Sequence, residues 1–410
     1  MRYPTTQKGA AVFVTLAAAS ALALAPVSLA GAHASFTPLQ ASAATAPCKA
    51  VMLPVPDGWS GGVVDINDSG VMVGSVTGPD GVDHATYWTP SAGGGFARHT
   101  PDLPAVGELL DVNNAGEAVG FDDFATETYV LNTVTGAFKY LPDYAGTHFG
   151  RARRINSHGV VAGAAPDQDG TPFATTWAPP YDTPHRVGVP WEEQAMTWTD
   201  PDTGDVYNWI AGSEADGIND AGTVAVFAAV GDPHIMRAHG RSKFSREPGN
   251  EQPLESSSVP AVPMTKTTSG QVSIYHTTGD QAYTFDLDNG GIVIGDDVTD
   301  LDTYDTRPVY WSGSAERDLG LPADAAGGRA LNIDGTWVTG FLYYPDGTER
   351  SYVWTGSGLL EVMPTPPGYV GSLSHGVDQL LHEVGGFARA ADGRFVPVMW
   401  RCPAGFSTAG

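Results

Sequence analysis

The chain reads Asp65-Ile66-Asn67-Asp68-Ser69-Gly70-Val71-Met72-Val73-Gly74 and then, after a turn at Pro79-Asp80-Gly81, His84-Ala85-Thr86-Tyr87-Trp88. Apolar residues lie on both sides of each turn. Asn and Gly at such turns supply the positive φ angles of tight hairpins. The recurring Asn and Asp are therefore first of all turn residues, since local backbone hydrogen bonds account for them. The stretch predicts short antiparallel strands.

The same unit recurs along the chain, and one residue on its second strand marks each copy. These markers are Gly74, Gly120, Gly163, Val226, Gly295, Gly340 and Gly385. They are 46, 43, 63, 69, 45 and 45 residues apart. A unit near 45 residues is typical of one four-stranded propeller blade. The sequence predicts an all-β fold, a single β-propeller of seven four-stranded blades closed by pairing of the N- and C-terminal strands, with two enlarged repeats in the middle.

Two further features recur in most copies. A tryptophan occupies equivalent places at Trp88, Trp177, Trp311, Trp354 and Trp400, which favours blade packing over ligand binding. A Leu-Pro-like pair occurs at Leu53-Pro54, Leu103-Pro104, Leu141-Pro142, Val189-Pro190, Val262-Pro263, Leu321-Pro322 and Met363-Pro364. Because proline is confined to sheet edges and strand ends, the strand with this pair is predicted to be outermost. The strand before Asn67 then lies at the axis and the Trp88 strand is third.

Residues 1–34 are predicted to be an export signal. Arg2 and Lys8 precede a small apolar run, and Ala32-His33-Ala34 offers a cleavage site before Ser35. A membrane anchor is the alternative, but the run is shorter than the ~20 apolar residues that cross a bilayer. We expect a flexible segment at 35–47, the propeller at 48–402 and a tail at 403–410. The protein is then secreted and extracellular, without membrane insertion.

The charge is strongly acidic, with 46 Asp and Glu against 21 Lys and Arg and a formal net charge of −25. Nucleic acids and anionic lipids bind to clustered Lys and Arg. The composition therefore excludes nucleic acid as a partner, and the charge is explained by solubility outside the cell.

The Ile-Asn-Asp-x-Gly pattern followed by His84-Ala85-Thr86-Tyr87-Trp88 resembles the bacterial extracellular repeat family named HAF, after a His-Ala-Phe tripeptide. A second close match is Phe173-Ala174-Thr175-Thr176-Trp177, although no copy has the full tripeptide. The resemblance extends over most of residues 48–402. It implies a secreted repeat protein, and it brings no catalytic residues with it.

Two cysteines, Cys48 and Cys402, lie at the two ends of the repeat region. Export to an oxidising compartment predicts a disulfide between them, and two free buried thiols are the alternative. In the fifth copy, Gly313 and Glu316 flank a two-residue turn and are expected to face each other. The cysteines hold the same places relative to the Trp and Pro of the last repeat, so we expect them to face each other too.

The sequence contains two matches to short catalytic motifs, and neither meets all the requirements of its motif. Gly58-Trp59-Ser60-Gly61-Gly62 matches a nucleophile elbow, but that elbow requires a helix after the serine, where this chain predicts a strand. His382-Glu383 lacks the second His of a zinc-protease motif. No catalytic residue is predicted.

The two enlarged repeats offer candidate binding residues. We place both enlargements in the crossover from an outer strand to the next inner strand, and the candidate ligand-binding residues are Trp191, Trp198, Tyr207, Trp209, Tyr275 and His276. A loop at 296–305, on the same rim, is rich in carboxylates, and its candidate calcium ligands are Asp297, Asp300 and Asp302. The alternatives are an extra hairpin that packs its own aromatic rings and an ordinary solvated acidic loop.

These features favour a non-catalytic binding module whose ligand is carbohydrate, cell-envelope material or a protein, because propellers present loops around an axis. No cofactor is expected, apart from the calcium alternative. A secreted polysaccharide hydrolase or lyase is the second hypothesis, since paired carboxylates from different blades would be invisible in sequence. A structural extracellular protein without a small ligand is the third.

Overall fold

The computed structural model describes residues 48–101, 107–122, 127–168, 170–190, 195–199, 206–210, 212–229, 261–279, 281–300, 305–356, 360–404 and 406. The side chains of residues 195–199, 206–210, 229, 261–262, 281 and 300 are outside this description. Within these ranges the chain forms strands and turns, and no helix is assigned.

The strands form seven four-stranded antiparallel sheets, the blades, and one extra hairpin. The first strand of the described residues is β1 (Lys49–Met52). Blade 1 contains β2 (Ser60–Ile66), β3 (Met72–Thr77), β4 (Asp83–Pro90) and β5 (Phe96–His99). Blade 2 contains β6 (Gly107–Val112), β7 (Glu117–Asp122), β8 (Thr128–Asn132) and β9 (Phe138–Tyr140). Blade 3 contains β10 (Arg151–Ile155), β11 (Val161–Pro166), β12 (Pro172–Trp177) and β13 (His185–Arg186).

The extra hairpin and the last four blades follow. The hairpin is β14 (Ala195–Thr199) and β15 (Val206–Ile210). Blade 4 contains β16 (Gly212–Ile218), β17 (Val224–Ala229), β18 (Ala261–Lys266) and β19 (Val272–Ile274), and blade 5 contains β20 (Gln281–Leu287), β21 (Val293–Asp300), β22 (Asp305–Ser312) and β23 (Ala315–Asp318). Blade 6 contains β24 (Gly327–Asp334), β25 (Trp337–Tyr343), β26 (Glu349–Trp354) and β27 (Leu360–Val362), and blade 7 contains β28 (Tyr369–Asp378), β29 (Glu383–Ala390) and β30 (Phe395–Arg401).

The ring is closed by the two ends of the chain. Strand β1 pairs with β30 and supplies the outermost strand of blade 7. Lys49 pairs with Arg401, and the disulfide Cys48–Cys402 lies directly beyond this pair with a Cα–Cα distance of 4.1 Å. The predictions of seven blades, of closure by the terminal strands and of the disulfide are confirmed.

The repeated turn follows the predicted chemistry. Asn67 Oδ1 accepts hydrogen bonds from the N–H groups of Ser69 and Val71, each at 3.0 Å. Gly70 has a φ of 72°, which residues with a side chain adopt at a steric cost. Every inner strand also has a β-bulge just before this turn, as between Val63 and Asp65. The turn and the bulge together direct the inner strand's polar residues toward the axis.

The recurring tryptophans bind neighbouring blades together, as predicted for packing residues. Trp88, Trp177, Trp311 and Trp400 are fully buried. Each donates its indole N–H to a backbone carbonyl just after the outer strand of the preceding blade, at Pro54, Pro142, His276 and Pro364 respectively, over 2.7–2.9 Å. In blade 4 this position is Lys266, whose ammonium donates to the carbonyl oxygens of Val187 and Gly188.

The strand directions define two faces of the ring. The turn face carries the turns between first and second strands and between third and fourth strands. The loop face carries the turns between second and third strands and the connections from each outer strand to the next inner strand. The β14–β15 hairpin belongs to the loop face, because it lies between β13 and β16.

Blade 4 was assigned incorrectly from the sequence. Val262-Pro263 lies in the third strand β18 and not in an outer strand, so the second enlargement lies between β17 and β18 rather than after the outer strand. The pair equivalent to Leu-Pro is Tyr275-His276, which directly follows the outer strand β19. The error arose because Lys266 replaces the tryptophan that marks the third strand elsewhere.

Two predictions in blade 5 are also wrong. Trp311 pairs with Glu316, so Gly313 lies within the turn and does not face Glu316. The partner of this tryptophan is six residues before the Leu-Pro proline in blade 5, whereas Ala50, the partner in blade 7, is four residues before Pro54. The predicted loop at 296–305 is also shorter than expected. Residues 296–300 belong to strand β21, so only the residues after Asp300 connect β21 to β22.

Candidate functional site

Polar residues from the inner strands line a cavity of about 310 Å³ at the axis, open toward the turn face. These residues come from the last positions of the inner strands, because the β-bulge lies just before those positions in each blade. Among the lining residues are Asp65, Asp111, Arg154, Asp286 and Asn332. Such a lining suits ions and hydrogen-bonding groups rather than apolar ligands.

Arg154 extends from blade 3 toward the opposite side of the ring. Its Nη2 donates to the carbonyl oxygen of Leu331 at 2.9 Å, and its Nε lies 3.3 Å from Asp286 Oδ1. Burial by itself lowers the pKa of the guanidinium, but the carboxylates of Asp286, Asp111 and Asp65 raise it overall. Arg154 therefore stays charged and holds blades 3, 5 and 6 together.

The axial carboxylates bind the backbone of neighbouring blades. Asp65 Oδ2 accepts the N–H of Val112 at 3.0 Å, and Asp111 Oδ2 accepts the N–H of Ile155 at 2.5 Å. Asp65 Oδ1 also accepts from the side-chain amide of Asn332 at 3.1 Å. The two bonds to backbone N–H groups join adjacent blades at the axis, and the bond from Asn332 joins blade 6 to blade 1, so the acids act first as structural groups.

Burial raises the pKa of several acids on the inner strands, among them Asp216 of β16. The pKa of Asp65 lies well above its ordinary value, because of burial and the nearby Asp111 carboxylate. Burial raises the pKa of Asp286 to about 6, with Arg154 opposing the shift. Burial and Glu214 raise the pKa of Asp216 to about 7, although Arg153 lies 3.3 Å away.

These shifts predict that the protein is more stable at pH 5 than at pH 8. Asp216 binds its proton more tightly in the folded chain than in the unfolded chain, so its ionisation between its unfolded pKa of about 4 and its folded pKa of about 7 destabilises the fold as pH rises. Melting temperatures across this range test the prediction, and Asp216→Asn should reduce the dependence. The exposed Asp80→Asn serves as the control. A melting temperature that falls from pH 8 to pH 5 would contradict it.

A second concave site lies on the loop face, between blades 7 and 1. It is a groove of about 340 Å³, and its lining includes Asp57, Trp59, Tyr369 and Arg394. Trp59 is half-buried, and its ring lies 5.4 Å from that of His84 between centroids. Arg394 is exposed and pairs with Asp392 at 2.7 Å. Two aromatic rings and two opposite charges therefore border one groove.

Tyr275 and His276, both predicted ligand-binding residues, follow the outer strand of blade 4. Tyr275 is 7 % exposed, its hydroxyl lies 3.0 Å from that of Thr265, and its ring lies 5.9 Å from that of Trp311. The His276 carbonyl accepts the indole N–H of Trp311 at 2.9 Å. Both residues take part in the contact between blades 4 and 5.

Asp297, a predicted calcium ligand, is fully buried. Its Oδ2 accepts a hydrogen bond from Arg307 at 2.5 Å, and its Oδ1 accepts the N–H of Gly279 at 2.9 Å. Asp300 ends strand β21, where its backbone pairs with Asp305. Asp302 lies outside the described residues, and the calcium site at these three acids stays a prediction.

The other predicted aromatic residues belong to the first enlargement. In the β14–β15 hairpin the backbone register places Trp198 opposite Tyr207 and Met196 opposite Trp209. Trp191 lies outside the described residues. The hairpin thus brings Trp198, Tyr207 and Trp209 into one small element, and their role in ligand binding stays a prediction.

Sequence reasoning missed the loop-face groove and the role of Arg154. Trp59 stands outside the series of third-strand tryptophans, and that irregularity was the available signal. Arg154 stands where the first two copies have Asp65 and Asp111, which was a similar signal. Tyr369 and Arg394 had none, because both belong to blade 7 and their proximity to Trp59 depends on the closure of the ring.

Comparisons with solved structures find other chains of similar backbone shape. Virginiamycin B lyase from Staphylococcus aureus has a TM-score of 0.41 and 10 % identity over 86 % of this chain and 98 % of that one. A putative TolB from Agrobacterium tumefaciens has a TM-score of 0.43 and 10 % identity, over 75 % and 95 %. YCF48 bound to D1 peptide has a TM-score of 0.47 and 10 % identity, over 88 % and 99 %. These likenesses concern the fold alone.

No family model matches the sequence, and no curated protein matches it. Among the described residues, no helix is long and apolar enough to span a bilayer.

Proposed function

We propose that this chain is a secreted, non-catalytic binding module that holds carbohydrate of the cell envelope on its loop face. The observation that carries the proposal is the groove between blades 7 and 1. Its volume of about 340 Å³ is within the usual range for small-ligand sites.

The groove's composition fits a sugar better than a charged or wholly apolar ligand. Trp59 and Tyr369 offer ring surface for the apolar face of a sugar, because both rings are only partly buried. Asp57 and Arg394 are exposed and can hydrogen-bond hydroxyl groups. Charges of both signs border the groove, so a neutral, hydroxyl-rich ligand is the best match.

The scaffold also supports binding rather than catalysis. The axial carboxylates of Asp65, Asp111 and Asp286 accept backbone hydrogen bonds from neighbouring blades. Acids engaged in this way hold the ring in shape, and rigid scaffolds commonly carry their functional residues on loops. The β14–β15 hairpin enlarges the same face and offers further contact surface.

The proposed location is extracellular. The Cys48–Cys402 disulfide indicates an oxidising compartment, and the apolar segment within residues 1–34 is proposed to direct export. Membership of the HAF repeat family is part of the proposal and rests on the repeat pattern in the sequence.

We expect the chain to bind specific glycans on an array and to be retained by insoluble cell-wall polysaccharide. Trp59→Ala should weaken this binding by about tenfold or more, since truncated central aromatics of a binding site commonly cost ~2 kcal/mol. Arg394→Ala should weaken it as well, through an exposed side chain whose loss has little effect on folding. Isothermal titration with the retained glycan measures both effects.

The matched control is Val134→Ser, an apolar side chain that is 80 % exposed between β8 and β9 on the turn face. It should bind as the unmodified chain does. Thermal melts separate lost binding from lost folding for Trp59→Ala, and Trp59→Phe should retain part of the affinity. The proposal fails if no glycan or cell-wall fraction is retained, or if Trp59→Ala and Arg394→Ala bind normally while folded.

A further inference from the structure

Three carboxylates from three blades meet at the turn-face mouth of the axial cavity. They belong to Asp68 of blade 1, Asp334 of blade 6 and Asp378 of blade 7, and one oxygen of each lies within 4.8 Å of the others. Asp68 is exposed, Asp334 is partly buried and Asp378 is only 1 % exposed. Asp68 and Asp334 line the cavity itself.

The position of Asp378 is occupied by asparagine in the first four blades. There each side-chain amide donates to the carbonyl oxygen of the equivalent residue in the next blade, at 2.9–3.3 Å. The donors are Asn67, Asn113, Asn156 and Asn219. An ionised aspartate has no proton to donate. The change to Asp378 therefore removes an interblade hydrogen bond and adds negative charge.

Among the described residues, one carboxylate oxygen of Asp378 has no hydrogen-bond partner. Its Oδ1 accepts the N–H of Leu381 at 2.7 Å, but its buried Oδ2 has no hydrogen-bond partner among the described residues. A buried carboxylate oxygen without a partner is costly. Burial raises the pKa of Asp378 to about 6, and the charges of Asp334 and Asp68 add to this.

We propose that Asp68, Asp334 and Asp378 bind a calcium ion at the turn-face mouth of the axial cavity. Calcium binds carboxylate oxygens at 2.3–2.6 Å, so two oxygens on one ion can be up to about 5 Å apart, as in this cluster. Water in the cavity can complete the six to eight oxygen ligands that calcium takes. The ion compensates the three charges and joins blade 6 and the closing blade 7 to blade 1.

The site is distinct from the loop-face groove, and its test does not involve glycan. The full exported chain is stripped with EGTA, desalted and titrated with calcium chloride in a calorimeter. We expect a dissociation constant of about 10⁻⁴–10⁻³ M, as in other extracellular calcium modules. Calcium at saturating concentration should raise the melting temperature by about 2–4 °C. Magnesium chloride should have a clearly smaller effect, since magnesium requires a stricter octahedral site.

Asp378→Asn is the decisive variant. It should lower the calcium affinity by about tenfold or more, and it should raise the melting temperature without calcium by restoring the interblade amide bond. Asp288→Asn is the matched control, because Asp288 holds the same repeat position in blade 5 but lies outside the cluster. It should respond to calcium as the unmodified chain does. The proposal is overturned if the unmodified chain binds no calcium, if magnesium acts equally, or if both variants respond equally.

Discussion

Arg154→Met is expected to lower the free energy of unfolding by about 3–5 kcal/mol, the usual cost of removing one partner from a buried charge cluster. The substitution leaves Asp65, Asp111 and Asp286 buried without their shared cation. It also removes the hydrogen bond from the guanidinium to Leu331. Urea unfolding at pH 8 measures the loss, which should be smaller at pH 5, where Asp65 and Asp286 bind protons more readily because burial raises their pKa values.

The control for this prediction is Arg98→Met, because Arg98 is exposed on the outer strand β5. Surface substitutions of this kind usually change stability by less than about 0.5 kcal/mol. If Arg154→Met costs no more than Arg98→Met, then Arg154 does not hold the axial network together.

The second large effect concerns the disulfide. The double variant Cys48→Ala and Cys402→Ala should lose about 2–5 kcal/mol of unfolding free energy, because the bond closes a loop spanning 354 residues of sequence. Strand β1 has only four residues, so without the covalent link the outer edge of blade 7 should open first. Urea unfolding without reductant measures the global loss, and limited proteolysis near β1 detects the local opening.

A reductant provides the control. Dithiothreitol should destabilise the unmodified chain toward the value of the double variant and leave the double variant unchanged. Equal stability of the two proteins without reductant would contradict the prediction, as would free thiols at Cys48 and Cys402 in peptide maps of the chain purified without reductant.

The blade count followed from the sequence because turn residues such as Asn67 and Gly70 are local and recur at nearly constant spacing. The disulfide followed because the ends of a closed ring must meet. Its supporting hairpin argument was wrong in detail, since the partner of the tryptophan lies six residues before the proline in blade 5 and four residues before it in blade 7. The strands of blade 4 were assigned wrongly because Lys266 replaces the tryptophan of the third strand. Val262-Pro263 was then taken for the Leu-Pro pair that marks the outer strand in other blades.

The candidate sites were harder to predict, because they join residues that are distant in sequence. Arg154 contacts residues of blades 5 and 6, and Asp68 meets Asp334 and Asp378, only after the ring has closed. The repeat pattern shows that residues such as Arg154 and Asp378 differ from the equivalent residues of other blades. It does not show which of these residues lie close together in the folded ring. The same holds for Trp59 and Tyr369 in the groove.

The central claim is that the loop face is the recognition surface, and hydrogen–deuterium exchange with the retained glycan tests it most directly. Amide exchange in the full chain is compared with and without that glycan. The account predicts slower exchange in residues 55–59, 368–369 and 390–396, which border the groove. It predicts unchanged exchange in the turn-face segments 67–71 and 288–292. Protection confined to the turn face, or none at the groove with the glycan bound, would contradict it.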